Sequence, residues 1–308
     1  MKDSNGIAIV DMSLSAAEVA RDISQACESS GCFHLINHTV PPTLLADVMK
    51  EMDKFFSLPL EDKQKCFPLN PSDDRGYSAF ATQNIAAFMG RRNEPNDPVE
   101  KFAYSSPTPL VDAYTSPNVW PSQLPNFRST MEDYFFAVKG LTKKLFDLFA
   151  LALKIDPEYF STRTTTAPNC VKLNHYPAMF KAAGRFGEHT DSCSFTILFI
   201  DSTPNALKIR MPEKQEWIPV NPQLNGLFVN LGDVLQRWTN DKWLATPHRV
   251  DGQGNATDRK SVAFFVMLSS SAEIECFPSC VGDGAKYEPI TFYDFVQKKI
   301  EGLQIGLK

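Results

Sequence analysis

Gly187-Glu188-His189-Thr190-Asp191-Ser192-Cys193-Ser194-Phe195-Thr196-Ile197-Leu198-Phe199-Ile200-Asp201 reads with a period of two. From His189 to Ile200 the odd positions are His, Asp, Cys, Phe, Ile and Phe, and the even ones Thr, Ser, Ser, Thr, Leu and Ile. This predicts one strand with one inward face, on which His189 and Asp191 project side by side at the end of an apolar row. An imidazole nitrogen and a carboxylate oxygen so placed can hold two positions of one metal ion. Without a third ligand the same residues read as a surface histidine beside a loop aspartate.

The neighbourhood of that stretch is β-like. Short runs at Val171 to Tyr176, Ala206 to Arg210, Trp217 to Val220, Leu227 to Leu231 and Ser261 to Leu268 are separated by Gly, Pro, Asn and Asp, the pattern of a sandwich or closed barrel. Helices are predicted on either side. Ser15-Ala16-Ala17-Glu18 fits a capping box ahead of a Val19/Ile23/Cys27 stripe that Ser30-Gly31 stops. Further helices are expected over Pro42 to Phe56, over about Phe127 to Leu153 as a supporting strut, and from Thr291 to roughly Ile300. Between Pro68 and Pro125 no period is sustained, so this segment reads as long loops that wall a binding site.

Composition narrows the function. A net charge of -5 and a pI near 5.6 argue against a general nucleic-acid binder or a basic membrane-surface protein. Seven cysteines without a repeated CxxC give neither a disulfide framework nor a zinc-finger pattern. With no apolar h-region at Met1 to Gly6 and no run long enough to span a bilayer, the expectation is a reduced, cytoplasmic, monomeric protein that meets a small molecule.

Five histidines make the search for a third ligand short. His248, in Thr246-Pro247-His248-Arg249-Val250 after Asn230-Leu231-Gly232-Asp233, can be returned to the same mouth by a strand, a turn and a second strand. Two histidines and one carboxylate leave coordination positions open, as expected for non-haem Fe(II) enzymes that activate oxygen. Arg259 and Ser261 share a strand face, where a guanidinium fork beside a hydroxyl suits a carboxylate. An isolated arginine more often pairs with a structural Asp or Glu.

These pieces together resemble the iron(II)- and 2-oxoglutarate-dependent dioxygenases of the isopenicillin N synthase-like group. The matching motifs are His189-Thr190-Asp191, His248-Arg249-Val250 and Arg259-Lys260-Ser261, with Asn174-His175-Tyr176-Pro177 ahead of them. Phe33-His34-Leu35-Ile36-Asn37-His38 and Arg75-Gly76-Tyr77-Ser78 extend the likeness to the N-terminal region. The resemblance implies a mainly β fold with flanking helices around a double-stranded β-helix, or jelly roll. Residues 1–125 would form a mixed region and substrate-wall loops packed on the core. Residues 126–308 would carry the supporting helix, the core and the C-terminal helix, all within one structural unit.

The resemblance also implies that His189, Asp191 and His248 bind iron, that Arg259 and Ser261 grip the distal carboxylate of 2-oxoglutarate, and that Asn174 and Tyr176 lie near its chelating end. Fe(II), 2-oxoglutarate and O2 are then the expected cofactor and co-substrates, with ascorbate as an in vitro reductant. The reaction would release succinate and carbon dioxide while a small molecule is hydroxylated, desaturated or cyclised. Arg75, Tyr77, Arg91, Arg92, Lys101 and Arg237 are the candidates for contacting that molecule, which would then be acidic, for instance amino-acid-derived, or another natural product. Each of these six also reads as an ordinary solvated charge or polar group.

Cys193 stands where the family usually has glycine. It reads as small apolar filler, or as a thiol near the metal if it shares the Asp191 face. Two other readings fit the same residues: an oxidase of this fold that needs no 2-oxoglutarate, and a non-catalytic jelly roll that binds a carboxylate.

Overall fold

The computed structural model describes residues 1–70, 73–91, 93–108, 116–178, 186–212, 215–252 and 257–301, with only the backbone of Phe88. The N-terminal region alternates β1 (Ile9–Asp11), α1 (Ala16–Ser29), β2 (Cys32–Ile36), α2 (Pro42–Phe56), α3 (Leu60–Gln64), β3 (Gly76–Ser78), α4 (Ile85–Phe88) and β4 (Glu100–Ser105). Then come α5 (Phe127–Leu153) and α6 (Glu158–Arg163), followed by β5 (Cys170–Tyr176), β6 (Phe186–His189), β7 (Phe195–Ile200), β8 (Leu207–Arg210), β9 (Trp217–Pro219) and β10 (Leu227–Leu231). The chain closes with α7 (Asp233–Trp238), β11 (His248–Val250), β12 (Arg259–Val266), β13 (Glu273–Ile274), β14 (Ile290–Thr291) and α8 (Phe292–Ile300).

Local chemistry sets the helix starts. Ser15 Oγ accepts from the Glu18 amide at 3.4 Å while the Ser15 amide donates to Glu18 Oε2 at 3.1 Å, so the capping box holds two free amides of α1. Pro42 opens α2, where a missing N–H costs nothing. Along α5, Met131, Phe135, Val138, Leu145 and Phe149 are fully buried or nearly so, which gives the long helix one apolar stripe.

The large sheet has eight strands in the order β1-β2-β10-β7-β12-β5-β4-β3, and the small one four, β6-β11-β8-β9. One face of the large sheet, with Phe102, Tyr104, Val171, Leu173, Phe195, Ile197, Val262 and Phe264, packs on α1, α2 and α5. Its other face, with Tyr176, Leu198, Phe228 and Ala263, meets Leu207, Ile209 and Val250 of the small sheet. The result is a jelly roll of two facing sheets; neither closes into a barrel.

The opening stretch is therefore two strands in two sheets. β6 ends at His189 in the small sheet, residues 190–194 turn a corner, and β7 begins at Phe195 in the large sheet. The phase of the side chains flips there: Phe195 and Ile197 go to the helix side, whereas Thr196 and Leu198 border the space between the sheets. The corner is held from behind by backbone, with the Asp233 amide donating to the Asp191 carbonyl at 2.8 Å and the Gly232 amide to that of Ser194 at 2.9 Å. A Cβ on Gly232 would lie 2.2 Å from the Cys193 oxygen, so only glycine allows this approach.

The 68–125 segment also departs from expectation, because β3 and β4 extend the large sheet at its β5 edge. All six residues of β4 are buried. No helix of the described residues is long and apolar enough to cross a membrane.

Candidate metal and 2-oxoglutarate site

A cavity of about 730 Å³ opens between the two sheets. At one end the antiparallel register of β6 and β11 sets His189 opposite His248, with ring centroids 4.2 Å apart. Nδ1 of His189 faces the Gly187 carbonyl at 2.8 Å and Nδ1 of His248 faces the Thr246 carbonyl at 2.9 Å. A carbonyl can only accept, so Nδ1 carries the proton and Nε2 keeps its lone pair. Both Nε2 atoms point toward Asp191 Oδ1, at 3.7 and 3.8 Å. One ion with ligand bonds of roughly 2.0–2.2 Å can bridge such separations.

Asp191 is fixed by its other oxygen, since Oδ2 accepts from the Thr196 hydroxyl at 2.6 Å and from the Asn230 amide at 2.8 Å. Burial alone pushes its carboxyl up, but the two imidazoles and these two donors together hold it below its ordinary value. Burial, reinforced by His248, pushes the His189 imidazole down to about 3, so it is neutral and able to coordinate. Among the described residues, His189, Asp191 and His248 are the group of His, Cys, Asp or Glu whose ligand atoms converge, all within 4.8 Å. Two nitrogens and one carboxylate oxygen with an open side suit Fe(II).

Further along the cavity the β5 and β12 register pairs Tyr176 with Arg259 and Asn174 with Ser261. Arg259 is only 2 % exposed, its guanidinium lies 4.9 Å from the Tyr176 ring centroid, and its Nη1 has no partner among the described residues. Asn174 Nδ2 donates to Ser261 Oγ at 3.4 Å. A buried cation with a free donor and a hydroxyl two positions away can receive the far carboxylate of a dicarboxylate.

Of the residues expected in the substrate wall, Arg75 and Lys101 line the cavity. Tyr77 pairs with Phe102 on the helix side of the sheet, where its hydroxyl donates to Glu100 at 2.6 Å, so it does not face the site. Arg237 donates to the Glu288 carbonyl at 2.8 Å and lies over the Tyr287 ring, and it too is absent from the lining. Arg91 reaches the Glu188 carbonyl at 2.6 Å and Glu94 at 2.8 Å on the outer surface. Arg92 lies outside the described residues. Cys193 is buried, its thiol 3.3 Å from the Phe195 carbonyl and 3.5 Å from Thr196 Oγ1, and burial pushes its pKa well up.

Thr196 and Asn230, which orient Asp191, were not among the expected site residues. An asparagine inside the apolar run Leu227–Leu231 was the available signal. Thr196 gave none, because an unbroken strand would have put it on the opposite face from Asp191.

The family model described as "2OG-Fe(II) oxygenase superfamily" matches residues 167–268, and "non-haem dioxygenase in morphine synthesis N-terminal" matches 7–123. A 2-oxoglutarate-Fe(II) type oxidoreductase of Emericella nidulans is 30% identical over 295 residues, which cover 91% of this chain and 83% of that protein. The chain belongs to the 2OG-Fe(II) oxygenases. A 2-oxoglutarate-dependent dioxygenase of Monascus ruber is 34% identical over 81% of the oxygenase and 78% of its own length. A full-length Neurospora crassa protein whose crystal structure holds alpha-KG superposes with a TM-score of 0.84, at 28% identity over 98% of both chains. The oxygenase is thus a 2-oxoglutarate-dependent dioxygenase that acts on a small molecule with Fe(II), 2-oxoglutarate and O2.

Proposed function

We propose that His189, Asp191 and His248 hold the iron, and that Arg259, Ser261, Asn174 and Tyr176 hold 2-oxoglutarate for the oxidation of a C–H bond in a small organic substrate. The observation that carries this reading is the convergence of three donor atoms whose partner atoms are each already engaged by Gly187, Thr246, Thr196 or Asn230. When bound, the iron with 2-oxoglutarate supplies the oxidising power, through reduction of O2 coupled to decarboxylation of the keto acid. The chain's own part is preorganisation. The two carbonyls fix the imidazole tautomers, Thr196 and Asn230 turn one carboxylate oxygen away from the ligand position, and Arg259 sets the direction in which the keto acid enters.

The enzyme is read as monomeric and cytoplasmic, without nucleic-acid or membrane partners, and ascorbate serves as its in vitro reductant. The acidic charge balance speaks against nucleic-acid and anionic-lipid partners, and the seven free cysteines suit a reducing compartment. Oxygen uptake by the Fe(II)-loaded protein is the test. It is expected to require 2-oxoglutarate and to be accompanied by succinate; uptake without the keto acid would favour the oxidase reading, and neither uptake nor succinate the binding-protein reading.

A further inference from the structure

The cavity holds a buried cation that iron and 2-oxoglutarate leave unused. Lys101 is 5 % exposed and stands in register with Asn174, on the face of β4 that borders the cavity. Its Nζ donates to Gln83 Oε1 at 2.7 Å and lies 4.4 Å from the Phe186 ring centroid. No carboxylate forms an ion pair with it among the described residues. Asp97 accepts from the Ile85 and Gly187 amides, and Asp74 pairs with Lys172 at 2.5 Å, the next rung along the same face. Arg75 completes this side, with Nη1 on the Asp74 carbonyl at 2.7 Å. A buried ammonium answered by one neutral oxygen is unfavourable unless a ligand brings the missing charge.

Two further features say what that ligand is. Ser261, Asn174 and Lys101 occupy one rung on three adjacent strands, which puts the Ser261 and Lys101 backbones roughly 9–10 Å apart. A second anion therefore has its own place beside the one at Arg259. The Phe186 ring under Lys101 is also 5.0 Å from the His189 ring, so a group held at Lys101 leaves the rest of its molecule beside the metal position. Apolar side chains on the rest of the wall include Phe265, Met267, Phe292 and Val296.

We propose that Lys101, backed by Gln83, receives a carboxylate of the substrate, and that the enzyme thereby selects carboxylic acids with an apolar body over their neutral counterparts. This rests on the iron and 2-oxoglutarate reading above, and it picks out Lys101 as a specificity-determining residue from the two described sequence candidates that line the cavity. The Lys101 ammonium, which forms no ion pair among the described residues, matches one negative charge.

The inference also has a pH signature. Burial, then Lys172, bring the Lys101 ammonium down to about 7, while Asp74 and Asp97 oppose them. Above that pH the free enzyme loses the charge, so the affinity for an acid falls as pH rises, by at most about tenfold per unit.

The test is anaerobic calorimetry on protein loaded with Fe(II) and 2-oxoglutarate, titrated with phenylacetic, phenylpropionic and phenylbutyric acids and with their primary amides. Wild type is expected to bind at least one acid about tenfold or more tightly than its amide, with affinity falling between pH 7 and 8.5. Lys101→Met should lose that preference, and Lys101→Arg should keep it without the fall, with 2-oxoglutarate affinity unchanged in both. No acid binding, equal binding of acid and amide, a preference that survives in Lys101→Met, or a loss of 2-oxoglutarate affinity in that variant would each overturn the proposal. A failure of the iron and 2-oxoglutarate reading shows separately, as wild type that does not take up the keto acid before any acid is added.

Discussion

At the end of the cavity lined by His189, Asp191 and His248, each proposed ligand's second polar atom is tied to a carbonyl or a buried side chain, whereas at the β4 end Lys101 rests on one amide oxygen. The first arrangement is held by its own partners. The second is a cation buried ahead of its counter-ion. The contrast separates residues that make the chemistry possible from residues that choose what undergoes it.

The contrast breaks most visibly at the ligands. His189→Ala, Asp191→Ala and His248→Ala should each lower succinate formation by roughly a thousandfold or more, beyond the 10–100-fold typical of outer-shell changes. Activity that persists in any of them would move the metal elsewhere. Arg259→Ala should raise the 2-oxoglutarate concentration needed for half-maximal turnover by roughly 10²–10³, since it breaks a buried charge pair, while Fe(II) affinity stays the same. An unchanged co-substrate requirement would return Arg259 to a structural role.

Asn230→Ala and Thr196→Val leave the three ligands in place but free Asp191 to turn. Fe(II) affinity, measured by competition with a chelator, should fall about 10–100-fold. The smallest effect sharpens the other side of the comparison. Tyr77→Phe removes a hydrogen bond to Glu100 on the far face of the sheet and should cost roughly 1.5–3 kcal/mol of stability in a denaturant titration, with no change in 2-oxoglutarate dependence. A changed dependence would mean that Tyr77 reaches the cavity after all.

Much of this was legible in the sequence wherever a local rule settled it. The Ser15/Glu18 box, the Pro42 start and the β10 run lie where the pattern places them, because capping and burial on both faces act within a few residues. His189, Asp191 and His248 were legible as a candidate set for a similar reason, as short side-chain motifs with defined chemistry, and the structure brings their donor atoms together. Two features were not. The corner at 190–194 is made by hydrogen bonds to Asp233 and Gly232, some forty residues away in sequence, and no period of two reveals that a strand changes sheets. β4 was hidden because Glu100 and Lys101 are charged yet buried, each answered by partners from other elements: Lys63, Tyr77 and His175 for Glu100, and Gln83 for Lys101. Register, which no local pattern gives, is why Tyr77 and Lys101, both candidates for the substrate wall, fall on opposite faces of one sheet: Tyr77 pairs with Phe102, whose side chain points away from that of its neighbour Lys101.

The central claim is that one metal ion and one keto acid share the cavity through separate sets of residues. Anaerobic titration of Fe(II), followed by 2-oxoglutarate, into wild type, His248→Ala and Arg259→Ala tests it most directly. The account predicts one Fe(II) per wild-type chain, tight keto-acid binding only after iron is present, lost metal binding in His248→Ala, and retained metal with weakened keto-acid binding in Arg259→Ala. Iron binding that survives in His248→Ala, or 2-oxoglutarate binding indifferent to both iron and Arg259, would contradict it.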